Sequence, residues 1–359
     1  MNTDSPSPVR APIRLAIVGT GIMAHRHARA FAAQAPRCRV VAAVDIVRDR
    51  VEAFCREFTI ERSYTSVDQM LVEADCDAVA IVTPDALHAP ISLQCLRAGK
   101  HVLCEKPLAL NAVEAQQMVE AAAQARRVNL VNFTYRNWPA LQGVAAAVQG
   151  GEIGEVRHVE ASYLQCWLSS QIWGDWRTTP AWLWRLSRAH GSNGVLGDLG
   201  VHVVDFATFP AGPIAEVFCR LKTFEKTPGN QIGEYVLDAN DSAVLAVTFA
   251  NGALGTLHMT RWASGHADRL YLKISGTQGA VEIDSERATD RYRVCSGAGL
   301  DVAEWREVVV PPAPTNFERF ITSIVEGQPE QPDFARGAAV QRVLDACFTS
   351  HAENRPVAV

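Results

Sequence analysis

Over the first third of the chain, short apolar runs alternate with amphipathic stretches. Residues 13–18, 40–44, 78–82, 101–104 and 129–133 are aliphatic and β-branched, which predicts strands. Between them, 24–34, 47–58, 66–73, 89–98 and 112–126 place apolar residues at helical spacing, several opened by capping residues such as Asp68 or Asn111. Strand alternating with helix predicts a parallel sheet covered on both faces.

The texture changes after residues 139–149, a predicted helix that ends at Gly150-Gly151. From there the pattern has period two, as in 156–164 and 243–249, and antiparallel pairing is expected. Asn251-Gly252, between 243–249 and 253–260, predicts a hairpin with a type I′ turn, because that turn needs two positive φ angles. Residues 275–279 predict a second turn, between 270–274 and 280–283. Only the helices 199–209, 316–326 and 336–351 remain to cover this sheet, so one face is expected to serve another subunit, in a homodimer or homotetramer.

Composition narrows the function classes. A chain of 359 residues, 48% hydrophobic and 20% charged, is globular and too long for one ordinary core, so two domains are expected. The formal net charge of -5 supplies no basic excess for a phosphate backbone, which argues against nucleic-acid binding. No stretch has the apolar length of a membrane span, and residues 1–12 lack the apolar core of a secretion signal; they are expected to be a disordered tail. Nine scattered cysteines with no C-x-x-C pair suit buried positions in a reducing cytoplasm. No Cys/His group has zinc spacing, so no metal is expected and activity should survive EDTA.

Gly19-Thr20-Gly21-Ile22-Met23-Ala24 lies between the first predicted strand and the first predicted helix, the context a G-x-G-x-x-G/A motif requires. Gly19 allows the tight turn, Gly21 lets backbone approach a pyrophosphate, Ala24 permits close helix packing, and the helix start offers N–H groups to the anion. Ile22 and Met23 fall at the same cofactor-binding turn. Asp45 ends the second strand about 20 residues further on, where a carboxylate accepts from ribose hydroxyls and repels a 2′-phosphate. NAD is therefore expected over NADP, although Arg48 and Arg50 would suit a phosphate if Asp45 swung aside, and Asp45 could instead be a simple helix cap. The fold class predicted is α/β: an N-terminal Rossmann, doubly wound parallel sheet over residues 13–134, then a C-terminal α+β domain with a large, mostly antiparallel open sheet over 135–359.

Two further segments carry the chemistry: His101-Val-Leu-Cys-Glu105-Lys106-Pro107 and Gly194-Val-Leu-Gly-Asp198-Leu-Gly-Val-His202-Val-Val-Asp205. With the glycine motif and Thr83-Pro84-Asp85-Ala-Leu-His88, the chain resembles the glucose-fructose oxidoreductase, inositol dehydrogenase and MocA family (Gfo/Idh/MocA) from about Ile13 to His351. The resemblance implies that Lys106, Asp198 and His202 surround the reacting carbon. It also places Thr83, Pro84, His88, Glu105 and Lys106 against the cofactor, and Tyr135 and Arg136 on the substrate side. Asp85 departs from the Asn more usual in that family. Independently, Lys106 follows a parallel strand's carboxyl end, where open α/β sheets bind ligands. Asp198, His202 and Asp205 are spaced to share one helix face, so Asp198 is expected to orient His202 and the substrate. Both Lys106 and His202 would contact the reacting oxygen; His202 is favoured as proton acceptor. Glu105 fits either a cofactor contact or a structural ion pair.

The segment 167–188 interleaves Trp173, Trp176, Trp182 and Trp184 with Arg177, Arg185 and Arg188. Such a mixture suits a sugar ring, and Trp176 and Arg177 are expected to touch substrate, although packing in a covering loop or an interface would use the same residues. The function predicted is hydride transfer between NAD and a secondary hydroxyl of a sugar, inositol or related polyol. An NAD-using glycosidase and a non-enzymatic NAD sensor are the alternatives.

Overall fold

The computed structural model describes residues 11–359 and divides into two compact units. The first takes the described residues up to Glu105 together with Gln117–Asn132 and Phe317–Phe334; the second takes Lys106–Gln116, Phe133–Asn316 and Ala335–Val359. This differs from a single cut between 134 and 135, because Phe320 and Ile321 pack fully buried in the core of the first unit. Residues 1–10 of the expected tail lie outside the described residues.

The first unit runs β1 (Ile13–Val18), α1 (Ile22–Ala32), β2 (Cys38–Val44), α2 (Arg48–Phe58), β3 (Arg62–Tyr64), α3 (Val67–Glu73), β4 (Ala78–Ile81), α4 (His88–Arg97), β5 (His101–Cys104), α5 (Ala112–Ala125) and β6 (Asn129–Val131). Its strands form one sheet in the order β3-β2-β1-β4-β5-β6, all parallel, so the chain winds outward from β1 in both directions. Helices cover both faces, which is why β4 and the last four residues of β1 are buried without alternation. On α1, Ala24, Ala28 and Phe31 fall on one buried stripe. The pattern had not predicted β3, which is only three residues long.

The second unit opens with α6 (Pro139–Gln149) and β7 (Val156–Leu164), continues to α7 (Val201–Ala211), and then runs through β8 (Ile214–Lys222), β9 (Ser242–Phe249), β10 (Leu254–Thr260), β11 (Arg269–Gly276), β12 (Gly279–Asp284), β13 (Arg291–Ser296) and β14 (Arg306–Val309). The chain then gives α8 (Asn316–Glu326), which after Asn316 belongs to the first unit, and α9 (Phe334–Glu353), which from Ala335 belongs to the second, before β15 (Val357–Ala358) joins the sheet edge. The nine strands lie in the order β14-β13-β12-β11-β7-β10-β9-β8-β15, antiparallel throughout except for β7 with β10. Period two sorts this sheet. Val159, Ala161 and Tyr163 of β7 and Leu257 and Met259 of β10 are buried, while Glu160, His258, Val244 and Leu254 are exposed on the other face.

The expected hairpin at Asn251-Gly252 forms, but not with a type I′ turn. Only Gly252 takes a positive φ, +85°; its N–H donates to Phe249 O, and Phe249 N donates to Ala253 O. This is a type I turn closed by a bulge at the left-handed glycine. Asn251 is held otherwise by its side chain, which accepts from Ala253 N and donates to Ala211 O. All nine cysteines are buried and unbridged, and no helix among the described residues is long and apolar enough to cross a membrane.

Candidate active site

In the first unit the functional positions gather because each directly follows a parallel strand: Gly19 after β1, Asp45 after β2, Thr83 just past β4 and Glu105 after β5. Gly19 has φ +91°, and a Cβ there would come within 2.4 Å of Val82 O, so only glycine permits this approach. Beside Gly21 a Cβ would meet nothing within 4 Å, and α1 starts there with no side-chain cap on its free N–H groups. Ile22, which opens α1, and Ile46, which follows Asp45, are apolar side chains left in solvent, 79% and 88% exposed. Met23 is also exposed. Thr83 Oγ1 is buried with no hydrogen-bond partner among the described residues. An orphan hydroxyl, an uncapped helix start and a glycine-lined gap fit the phosphates and sugar of a dinucleotide.

Asp45 is 8% exposed and firmly held. Its Oδ2 accepts from Thr20 N (3.0 Å) and Thr20 Oγ1 (2.8 Å), and its Oδ1 from Val47 N (3.0 Å). Burial pushes this carboxyl up, but hydrogen bonds from Val47 and Thr20, helped by Arg50 at 3.5 Å, more than offset it and leave the group below its ordinary value. The two arginines that would suit a phosphate are engaged, Arg50 with Asp45 and Arg48 with Glu52.

Two expected cofactor contacts are placed differently. His88 is fully buried and its Nε2 bonds Thr83 O at 2.9 Å, a contact that shapes the turn. Glu105 is 6% exposed; its Oε1 is bonded by His27 Nε2 (2.7 Å) and accepts from Asn132 Nδ2 (2.7 Å), which is the structural alternative for this residue.

In the second unit, Lys106 begins the segment after Glu105, and its peptide bond to Pro107 is cis. Lys106 Nζ donates to Asp198 Oδ1 at 3.0 Å, Arg261 Nη2 donates to Asp198 Oδ2 at 3.0 Å, and Arg185 Nε lies 3.8 Å from the same oxygen. Burial pushes the Asp198 carboxyl up, yet the charges of Lys106, Arg261 and Arg185 hold it well below the usual carboxylate range. Asp198 is presented by a π turn, Leu196–Gly200, that runs into α7. The turn is anchored by Asn240, which accepts from Val195 N and Leu196 N. Gly194 (φ +68°) lies so close to Asn240 that a Cβ would come within 2.5 Å of it, which accounts for glycine there.

The π turn breaks the expectation of one shared face. Asp198 and Asp205 go to separate sets of cations, and His202 packs between tyrosines, its ring 4.7 Å from that of Tyr135 and 6.2 Å from that of Tyr163. Asp198 orients Lys106 rather than His202: its two oxygens take the ammonium and the Arg261 guanidinium. Arg136, expected on the substrate side, is 2% exposed and bidentate to Asp205 at 2.7 and 2.8 Å, with Phe209 3.5 Å beneath its guanidinium. Arg336 donates to the same carboxylate at 2.7 Å. Trp176, also expected to touch substrate, is 1% exposed in an apolar cluster with Trp167, Leu186 and Leu237. Arg177 is exposed, pairs with Asp175 at 3.4 Å and lies over the Trp176 ring. For Trp176 this is packing within the loop, the alternative that the Trp-Arg mixture had left open.

Sequence reasoning missed Arg261 and Tyr163. Both had a signal. Gly255, Leu257 and Met259 face the core in period two, and the next position in that series is Arg261, fully buried. A guanidinium on an inward face needs a carboxylate.

The family model for the oxidoreductase family with an NAD-binding Rossmann fold matches residues 13–133, and that for the GFO/IDH/MocA C-terminal domain matches residues 141–282. Levoglucosan dehydrogenase of Pseudarthrobacter phenanthrenivorans is 28% identical, covering 95% of this chain and 96% of its own. Inositol 2-dehydrogenase of Rhizobium meliloti is 26% identical, covering 97% and 99%. A solved structure of levoglucosan dehydrogenase in complex with NADH and L-sorbose superposes with a TM-score of 0.86 at 29% identity, over 97% of this chain and 99% of that one.

Proposed function

The chain belongs to the GFO/IDH/MocA family of NAD-binding oxidoreductases, and on that premise we propose that it is a dehydrogenase acting on a secondary hydroxyl of a sugar, inositol or related polyol. The observation that carries this reading is the Lys106 ammonium, 22% exposed and aimed by Asp198, in the residue that directly follows Glu105 of the nucleotide-binding unit. Bound NAD would supply the hydride acceptor. The residues around Gly19 and Gly21, with Thr83 and Asp45, would hold it.

The chain's own groups do the rest. Lys106 Nζ binds the reacting oxygen and stabilises the negative charge that grows on it. Asp198, fixed by Arg261, keeps the ammonium from rotating away. His202 takes the hydroxyl proton at Nε2. A panel of levoglucosan, inositols, sugars and sugar acids with NAD, followed by absorbance of NADH, tests the proposal. Net NADH with at least one polyol is expected. Turnover of a glycoside without net NADH would favour the glycosidase instead, and no reaction with any member would count against the reading.

NAD is expected to be preferred over NADP because Asp45 is held facing the ribose position by Thr20 and Val47. The exposed sheet face, with Val244 57% and Leu254 59% in solvent, supports self-association as a homodimer or homotetramer. Light scattering checks this, with Val244→Glu as the disrupting variant. Nine unbridged thiols support a reducing, cytoplasmic location.

A further inference from the structure

Asn240 and Asp241 lie just before β9, and the two halves of the Asp198–Arg261 ion pair both lead back to them. β9 and β10 are antiparallel with Ser242 opposite Thr260, so one step further along the ladder Asp241 faces Arg261. There the Arg261 N–H donates to Asp241 O at 3.0 Å. Asn240 takes the other half. Its carbonyl accepts from Val195 N at 2.8 Å, its Oδ1 accepts from Leu196 N at 3.0 Å, and its Nδ2 donates to Asn193 O at 3.1 Å. The Asn240 side chain is thus used at both ends on the entry to the π turn, and Asp198 is the one charged residue that turn carries.

Asp241 is itself clamped. Its Oδ2 accepts from Lys226 Nζ at 2.8 Å and from Phe224 N at 2.9 Å, and its N–H donates to Lys222 O at 2.9 Å. The Lys226 and Asp241 side chains are both fully buried, and the ammonium also donates to Phe224 O at 2.9 Å and Leu237 O at 3.3 Å. A buried ion pair adds little net stability over apolar residues of the same volume; what it fixes is geometry. Here it fixes the point from which one neighbour reaches the turn of Asp198 and the other reaches Arg261.

We propose that Asn240 and Asp241 are positioning residues for hydride transfer: Asn240 sets Asp198, Asp241 sets Arg261, and together they hold Asp198 where it aims Lys106. The inference rests on the reading of Lys106 as the group that binds the reacting oxygen. Both residues act through the ion pair and not by contact with substrate. Without Asn240 Oδ1, Leu196 N loses its acceptor, and the off-period turn relaxes toward the α-helix that follows it, carrying Asp198 away from the Arg261 guanidinium.

Asn240→Ala is expected to lower kcat about tenfold with KM for NAD unchanged, measured with the polyol that the wild-type protein oxidises fastest. The decisive comparison is a double-mutant cycle with Lys106→Ala. Once the ammonium is gone, Asn240→Ala should lower kcat by less than about a further twofold, whereas damage to the fold would act equally in both backgrounds. Asn240→Asp, which keeps an acceptor for Leu196 N, should recover most of the loss. A second readout needs no turnover. An amine paired with a carboxylate stays protonated and is a poor nucleophile, so acetylation of Lys106 by acetic anhydride, followed by mass spectrometry, should be several-fold faster in Asn240→Ala, as in Asp198→Ala. Asp241→Asn combined with Lys226→Met removes both buried charges at similar volume and should speed the labelling in the same direction. Equal losses in the two backgrounds, or Lys106 labelling unchanged in Asn240→Ala and in the combined variant, would overturn the proposal. If the wild-type protein forms no NADH with any polyol, the parent reading falls and the labelling alone decides whether Asn240 and Asp241 aim Lys106.

Discussion

Asp198 and Asp205 lie close together in sequence, and each is held by arginines brought from distant segments. Asp198 sits among Lys106, Arg261 and Arg185 and keeps 31% of its side chain in solvent. Asp205 sits between Arg136 and Arg336 with 4% exposed, and its arginine partners are 3% and 16% exposed. The chemistry of the two clusters is nearly the same. Access separates them: an open cluster can offer an ammonium to a hydroxyl, whereas a sealed one can only bind parts of the fold to each other.

The sealed cluster should fail in stability. Asp205→Ala removes the carboxylate that the buried Arg136 and the partly buried Arg336 share, and is expected to cost about 3–5 kcal/mol in urea unfolding. A loss below about 1 kcal/mol would mean that the arginines find other partners and that the cluster is not structural in the sense argued.

The open cluster should fail in rate. Lys106→Ala and His202→Ala are each expected to lower kcat on the order of 10² while the folded protein still binds NAD, as followed by cofactor fluorescence. Turnover near that of wild type would erase the functional difference between the two clusters.

Acid sharpens the contrast. Burial raises the Asp205 carboxyl, but the Arg136 and Arg336 charges overcome that and bring it from 3.8 to about 2. A carboxyl depressed in the folded state stabilises it above the unfolded value, and that stability is lost as pH falls through the folded one. On the order of 2 kcal/mol should therefore disappear between about pH 4 and pH 2. In Asp205→Asn this increment should be missing, so stability falls less steeply over the same range than in the wild-type protein.

The smallest effect belongs to the nucleotide end. Asp45→Asn keeps the shape but loses charge, and should raise KM for NAD roughly tenfold, leave kcat nearly unchanged and narrow the preference over NADP. An unchanged cofactor preference would return Asp45 to a plain capping role.

These two ends were unequally legible from sequence. The nucleotide end is written in local pattern: β1, the glycine turn and α1 are contiguous, and Asp45 falls at a fixed interval beyond them. Lys106, Asp198 and His202 stood out because two motifs name them. Their partners did not, because Arg261 and Arg185 reach Asp198 only through folding, and no spacing along the chain announces a contact between β10's end and residue 198. Arg136 and Trp176 were misplaced for the converse reason. Charge and ring size suggested a ligand, while burial, which local sequence does not display, assigned them to the interior. The π turn at Leu196–Gly200 and the bulged turn at Gly252 escaped because both depart from the regular periods on which pattern reading relies.

The nucleotide-binding unit is not one stretch of chain: its last piece, Phe317–Phe334, returns after roughly half the sequence has been spent on the second unit. During synthesis the ribosome therefore makes β1 to β6 long before Phe320 and Ile321, which complete their core, exist. At about 5–20 residues per second that interval is roughly ten to forty seconds. For that time the nascent sheet presents an unfilled apolar seam, and it is there that a chaperone would have most to protect.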